Sequence, residues 1–318
     1  MDSNSNAAIL TDEALADAPA EPYDRDAQKE TLTVSTPPTS TPELPKESHL
    51  AAPTPMMIWL KRSGPRYLVR IMALVVAVLL WETASGNGFH FYINFENIPA
   101  PSVVGAALGA ELAGEEFYLH ILHSLERVAI AYVMAVVLGV VIGIAMGRSR
   151  WAEDIILPYI ELLRPIPAVA WIPLAILMLP TEQSSIVFIT FLGALFPVIL
   201  NTVHGVEQTN GLLVRAARSL GASRTAILWH VVLPGAMPSI VAGLAIGMGV
   251  AWFSLLAGEI ISGQYGIGYY TWNSYTLIQY PQIIIGMLTI GGLGTLCTLL
   301  VRKGCSPLLK WQAKGGRS

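Results

Sequence analysis

The chain has 318 residues, 53% of them hydrophobic and only 13% charged, with a formal net charge of −3 and a mean hydropathy of +0.54. That balance lies outside the range of ordinary soluble domains and places the chain in a bilayer. No nucleic-acid partner is expected. Nor is a disulfide, because Cys297 falls in an apolar span and Cys305 beside it on the side where thiols stay reduced.

Residues 1–55 carry ten Asp or Glu against three Lys or Arg, eight prolines, and a Thr-Pro-rich run from Thr36 to Pro45. Such a segment buries too little apolar surface to offset the entropy of ordering, so a disordered acidic tail is expected. It lacks the basic start and apolar core of a signal peptide. A transmembrane domain is expected over residues 56–304, with a short tail over 305–318. Its first span, residues 67–84, is free of charge only from Ile71 to Trp81 and must use Arg70 and Glu82 as snorkelling ends. The second (128–147) and fourth (183–203) spans are uncharged and long enough for the ~18–20 residues that cross the hydrocarbon core. The third, 155–179, is interrupted by Glu161, Arg164, Pro165, Pro167 and Pro173. It reads as a broken helix, tolerable only where protein surrounds it. The fifth span (237–259) lies in a run free of charge from Val231 to Gly258. The sixth (281–301) follows a polar, aromatic stretch from Ser262 to Tyr280.

Basic residues fall on one side of this six-span scheme. Lys61, Arg62, Arg66 and Arg70 precede the first span, and Arg148 and Arg150 follow the second. Arg215, Arg218 and Arg224 lie between the fourth and fifth, and Arg302, Lys303, Lys310, Lys314 and Arg317 close the chain. The loops on the other side, about 85–118, 180–184 and 260–280, hold none. The positive-inside rule then makes both termini and residues 211–234 cytoplasmic.

Residues 211–234 are a polar, helix-forming loop caught between spans. Ala216 and Ala217 leave a small face for close approach by another protein. Gly221 can take the left-handed conformation that ends a helix, Ser223 can cap the next, and Pro234 is expected to stop that one. Two short helices joined by a sharp corner are expected.

At Arg215-Ala216-Ala217, Gly221 and Val231-Val232-Leu233-Pro234 the chain resembles the permease subunits of bacterial ABC importers. Their cytoplasmic loop carries Glu-Ala-Ala, three residues, Gly, nine residues, Ile-x-Leu-Pro; Arg215 replaces the Glu and Val231 the Ile. The resemblance covers roughly residues 95–302. Leu163-Arg164-Pro165-Ile166-Pro167 through Pro173, with Phe196-Pro197 and Asn201, resembles the nitrate, sulfonate, taurine and bicarbonate branch. The stretch Gly266 to Asn273 resembles the nitrate and bicarbonate members more closely.

The fold implied is an all-α polytopic membrane protein, a type I importer permease with six transmembrane helices. The resemblance implies ATPase coupling through Arg215, Ala216, Ala217, Gly221, Leu233 and Pro234. The implied partners are ATP-binding subunits that hold ATP and Mg, a periplasmic or lipid-anchored substrate-binding protein, and a second copy of the permease in the bacterial inner membrane. This chain itself would bind no cofactor.

Ionisable groups at membrane depth usually face partners or water. Arg127 is expected to anchor at the outer interface; Glu161 and Arg164, three apart, either neutralise each other and brace the proline break or leave Arg164 to lend positive potential to a path for an anion. Arg164, Trp171, Asn201 and Glu259 are the candidates for a substrate path, with Glu259 either a gate or a partner of Arg127. The aromatics from Tyr269 to Tyr280 suit an interfacial belt, and Gly243, Gly247 and Gly249 suit close helix packing. His120 and His123 share a helical face but are expected to be interfacial histidines rather than metal ligands.

No Gly-Lys dipeptide occurs, so a phosphate-cradling loop of the Gly-x-x-x-x-Gly-Lys type is excluded. His-Glu-x-x-His, Cys-x-x-Cys and Gly-x-Ser-x-Gly are absent too, and no catalytic or metal site is expected. The expected function is the permease subunit of an ATP-driven importer of a small anion, nitrate or bicarbonate ahead of sulfonate or taurine. A gradient-driven secondary transporter would want more buried carboxylates and an internal repeat. A polytopic membrane enzyme would want a clustered catalytic constellation.

Overall fold

A backbone inside a bilayer must satisfy its own hydrogen bonds, and all regular structure among the described residues is helical. The computed structural model describes residues 55–86 and 97–309. The acidic tail, up to residue 54, and most of the C-terminal tail lie outside the described residues. In chain order the helices are α1 (Pro55–Gly86), α2 (Pro101–Ala113), α3 (Glu115–Arg148), α4 (Arg150–Leu163), α5 (Ile172–Met178), α6 (Glu182–Glu207), α7 (Gly211–Ser219), α8 (Arg224–Ile227), α9 (Leu233–Ser262), α10 (Ile267–Thr276) and α11 (Tyr280–Cys305). Helices α1, α3, α6, α9 and α11 are long and apolar enough to cross a membrane. The pair Arg150–Leu163 and Ala168–Met178 passes the same test when taken together, bent by 86°, and makes six if it counts as one span. The bend follows from Pro165 and Pro167, which remove the N–H donors on either side of Ile166.

Lipid solvates an apolar helix as well as leucine does, so helices associate through close packing rather than by escaping water. Helix α6 packs between α3 and α9, and glycines set the separation. A Cβ at Gly139, Gly143 or Gly147 would stand 2.8, 2.5 and 2.7 Å from Val198, Thr202 and Val206. The four-residue step on both helices makes this one ridge meeting another. On the far side of α6, Gly243 meets Asn201 and Gly247 meets Val198 and Ala194, while Gly205 faces Ala236 and Ser239. Gly249 has no neighbour within 4 Å and plays no such part. Val128, Tyr132 and Ala135 of α3, Ile186 and Ala194 of α6, and Met248, Ala251, Trp252 and Leu255 of α9 fill the core of this trio. A capping box starts α6: the Thr181 hydroxyl accepts the Ser184 N–H at 3.1 Å, and the Ser184 hydroxyl accepts that of Thr181.

Several expected boundaries are corrected. The helix that carries the second span begins at Glu115, so His120, His123 and Arg127 lie inside a helix. Two short helices, α2 and α10, occupy stretches read as loops. Glu82 has a role beyond the end of its own span. Its carboxylate accepts the Ser102 backbone N–H at 3.1 Å and the Ser102 hydroxyl at 2.7 Å. It thereby supplies the N-terminal cap that Ala100 cannot give α2. Pro234 does not stop a helix. It falls in the first turn of α9, and helix α8 runs into α9 through a π turn over Leu228–Val232, where the Leu233 N–H reaches back to the Leu228 carbonyl. A proline ring crowds the carbonyl four residues earlier, here His230, and the wider turn accommodates it.

Candidate functional site

Helix α7 and the start of α8 form the corner anticipated for residues 211–234. Asn210 caps α7 by accepting the Leu212 N–H at 2.9 Å, and Ser223 caps α8 by accepting that of Ala226 at 3.2 Å. Between them Gly221 sits at φ 82°. The Ala222 N–H bonds the Ala217 carbonyl at 3.1 Å and the Gly221 N–H that of Arg218 at 3.0 Å, the paired bonds of a Schellman turn. Arg215, Arg218 and Arg224 are exposed, with Leu212, Leu213, Trp229 and Leu220, the last 88% accessible, beside them. The two alanines do not share a face. Ala217 packs on the cluster of Val206, Ile227, Val232, Ala236 and Ile240, whereas Ala216 is exposed. Leu233 and Pro234 are half-buried at the base of the corner.

A groove of about 440 Å³ lies between the bend after α4, helix α6 and helix α9. Three of the four path candidates line it: Arg164 and Trp171 from the bend, and Asn201 from α6. Phe196, Phe253 and Ser254 complete its character, apolar and aromatic around one cation. Arg164 and Glu161 are exposed and form no ion pair among the described residues, so of the two alternatives weighed for Arg164 the bracing pair does not form. Asn201 is held by its amide, which donates to the Pro197 carbonyl at 2.8 Å.

Glu259 does not reach the groove. It is 1% exposed at the end of α9 and pairs with Arg127, itself 5% exposed, at 2.9 Å. The alternative weighed for Glu259, a partner for Arg127, therefore holds, and the interfacial anchor expected of Arg127 does not. Further hydrogen bonds tie this knot together. Ser124 donates to Glu259 at 2.8 Å and accepts the Ile267 N–H at 2.9 Å; the Gly268 N–H donates to Glu259 at 2.9 Å. Arg127 also donates to the Gln183 side chain at 2.6 Å and to the Tyr265 carbonyl. His120, expected at an interface, is buried and accepts the Gly266 N–H at Nδ1, 3.1 Å away.

The Gly266-Ile267-Gly268 stretch has its reason here. Gly266 has φ 124°, and a Cβ there would strike the Glu259 carboxylate, while one at Gly268 would stand 2.9 Å from the Glu259 Cβ. The aromatic belt is partial: Trp272 and Tyr275 are exposed and stack at 5.3 Å. Tyr270 turns inward against Phe117, with ring centroids 5.3 Å apart, and burial holds its phenol above the usual range. Ser124, Gln183 and Ser254 carried no signal in the sequence, because a single hydroxyl or amide in an apolar run has no periodicity or spacing to mark it.

These parts define a polytopic, all-helical membrane protein with a helical corner between two spans and a groove between the bend, α6 and α9 that carries one arginine. Residues 135–303 match the family described as binding-protein-dependent transport system inner membrane component. SsuC of Escherichia coli K12, a transport permease protein named for aliphatic sulfonates, is 36% identical over 243 residues, 76% of this chain and 89% of the relative. TauC of the same strain, a taurine transport system permease protein, is 35% identical over 195 residues, 61% of this chain and 71% of the relative. NrtB of Synechocystis, a nitrate import permease protein, is 30% identical over 243 residues, 73% of this chain and 86% of the relative. The chain belongs to this family of inner-membrane transport permeases, and its apolar helices are its membrane spans.

Proposed function

We propose that this chain is the membrane-spanning subunit of an ATP-driven importer and carries a small oxyanion along the groove headed by Arg164. ATP and Mg would be held by separate ATPase subunits gripping α7 and the Gly221 corner, with both termini and that corner cytoplasmic. A substrate-binding protein would deliver the anion at the opposite end. The observation that carries the reading is the convergence of Arg164, Trp171 and Asn201, from two separate elements, on one groove.

A guanidinium facing acyl chains costs about 2.5–3.5 kcal/mol on insertion scales. The open side of the groove therefore favours a second copy of the chain over lipid. Among oxyanions, the aromatic lining from Trp171, Phe196 and Phe253 suits one with a carbon skeleton, such as a sulfonate or taurine, ahead of nitrate. The Gly266 to Asn273 stretch, which favoured nitrate or bicarbonate, surrounds Glu259 away from the groove and so speaks to packing rather than to substrate.

The test is ATP hydrolysis in vesicles that hold this chain with its ATPase and binding protein, challenged with nitrate, bicarbonate, taurine and ethanesulfonate. Stimulation by one of them supports the reading, and failure of the ATPase to associate overturns it. Replacing Arg164 with Ala should leave the amount of membrane protein unchanged, since no ion pair is broken. Uptake should fall roughly tenfold or more, the scale of a lost hydrogen bond to a charge, and Lys should restore part of it. A drop in protein amount with Ala would mark Arg164 as a brace instead.

A further inference from the structure

We infer that Ser254 is a second anion-contacting residue of the groove, a neutral hydroxyl donor contributed by α9 where Arg164 comes from the bend; the inference rests on the path reading above. Ser254 is 1% exposed and lines the groove, and its Oγ has no hydrogen-bond partner among the described residues. Other buried or half-buried hydroxyls on these helices behave differently. Thr190, Thr202, Ser274, Thr289 and Thr298 each donate to the carbonyl four residues earlier at 2.7–2.8 Å. Ser254 makes no such bond to Val250.

Gly193 of α6 is the reason the hydroxyl fits where it does. A Cβ at Gly193 would collide with the Ser254 Oγ and approach the Val250 carbonyl to 3.3 Å. The close approach of α6 and α9 thus leaves room for the hydroxyl but gives it no protein acceptor. A buried hydroxyl without a partner is destabilising, and one explanation for such a group in a native structure is a water or ion that supplies the bond. An oxyanion between Arg164 and Ser254 would accept from a guanidinium of the bend and from an O–H of α9. The hydroxyl adds a direction-dependent contact without a second cation, whose full charge would hold the anion too tightly for passage.

The experiment uses the assembled transporter in vesicles and measures uptake of labelled ethanesulfonate and nitrate, together with the thermal stability of the purified assembly. Ser254→Ala, Ser254→Cys and Arg164→Ala are compared with the parent. Ser254→Ala should lower uptake of the carried anion roughly tenfold while stability stays at or above that of the parent, because an unpartnered polar atom has been removed. Ser254→Cys, a weaker donor of similar size, should fall between. Parental uptake by Ser254→Ala, or a loss of uptake matched by a loss of stability, would overturn the assignment. If Arg164→Ala is impaired and Ser254→Ala is not, this inference fails and the path reading stands; parental uptake by both would end the path reading itself.

Discussion

Replacing Arg127 with Met should sharply reduce the amount of folded protein. The substitution leaves the Glu259 carboxylate in a site 1% exposed with the Ser124 hydroxyl and the Gly268 N–H but no cation. Removing one partner of a buried pair costs about 3–5 kcal/mol, a large share of the about 5–15 kcal/mol that holds a typical domain together. The Gln183 amide and the Tyr265 carbonyl lose their donor as well. The double variant Arg127→Met, Glu259→Gln should recover much of the loss. Gln still accepts from Gly268 and Ser124, and no charge is left alone. Thermal unfolding in detergent and the yield of monodisperse protein report both effects. A single Arg127→Met variant as stable as the parent would show that the pair does not hold α10 against α3 and α9.

The second large effect is expected at Gly221. A Cβ there meets no atom within 4 Å, so any penalty is conformational and not steric. An L-residue at φ 82° costs about 1–2 kcal/mol, more when β-branched. If the corner relaxes to escape that strain, its present geometry is populated roughly 5–30-fold less. Gly221→Val should therefore insert normally and retain the groove, yet lose most ATP-dependent uptake. Gly221→Asn should stay close to the parent, because Asn visits the left-handed region. Normal uptake by the Val variant would remove the docking claim. Equal loss with Asn and Val would point to the side chain's presence at the docking surface rather than to backbone geometry.

The corner was legible in the sequence because its requirements are local: a cap three residues before its acceptor bond, and a glycine where only a left-handed turn reverses the chain. The Arg127–Glu259 pair was only half legible. Its members are 132 residues apart, and an arginine near a span end looks the same whether it faces headgroups or a buried carboxylate. Helices α2 and α10 were missed because each is short, and neither carries a side-chain cap on its own N-cap residue. Glu82 and the Glu259 knot secure them from other elements. Pro234 misled for a related reason, since a π turn can absorb a proline and no residue pattern announces one. The spacing could not decide between the two alternatives for Arg164, because it says which side chains are neighbours, not whether they meet once the helix breaks at Pro165.

The glycine crossings also govern what the bundle can do mechanically. Sliding α3 or α9 along α6 by one residue, a step of ~1.5 Å, would replace a glycine by a larger side chain at several crossings at once. Shear within the trio is blocked, and its three helices share one set of rigid-body freedoms. The 86° bend and α1, whose apolar side chains from Tyr67 to Leu80 lie exposed, stand outside this locked set. The groove then has one fixed wall, bearing Asn201 and Ser254, and one adjustable wall, bearing Arg164 and Trp171. Its width and the distance between its polar groups change together.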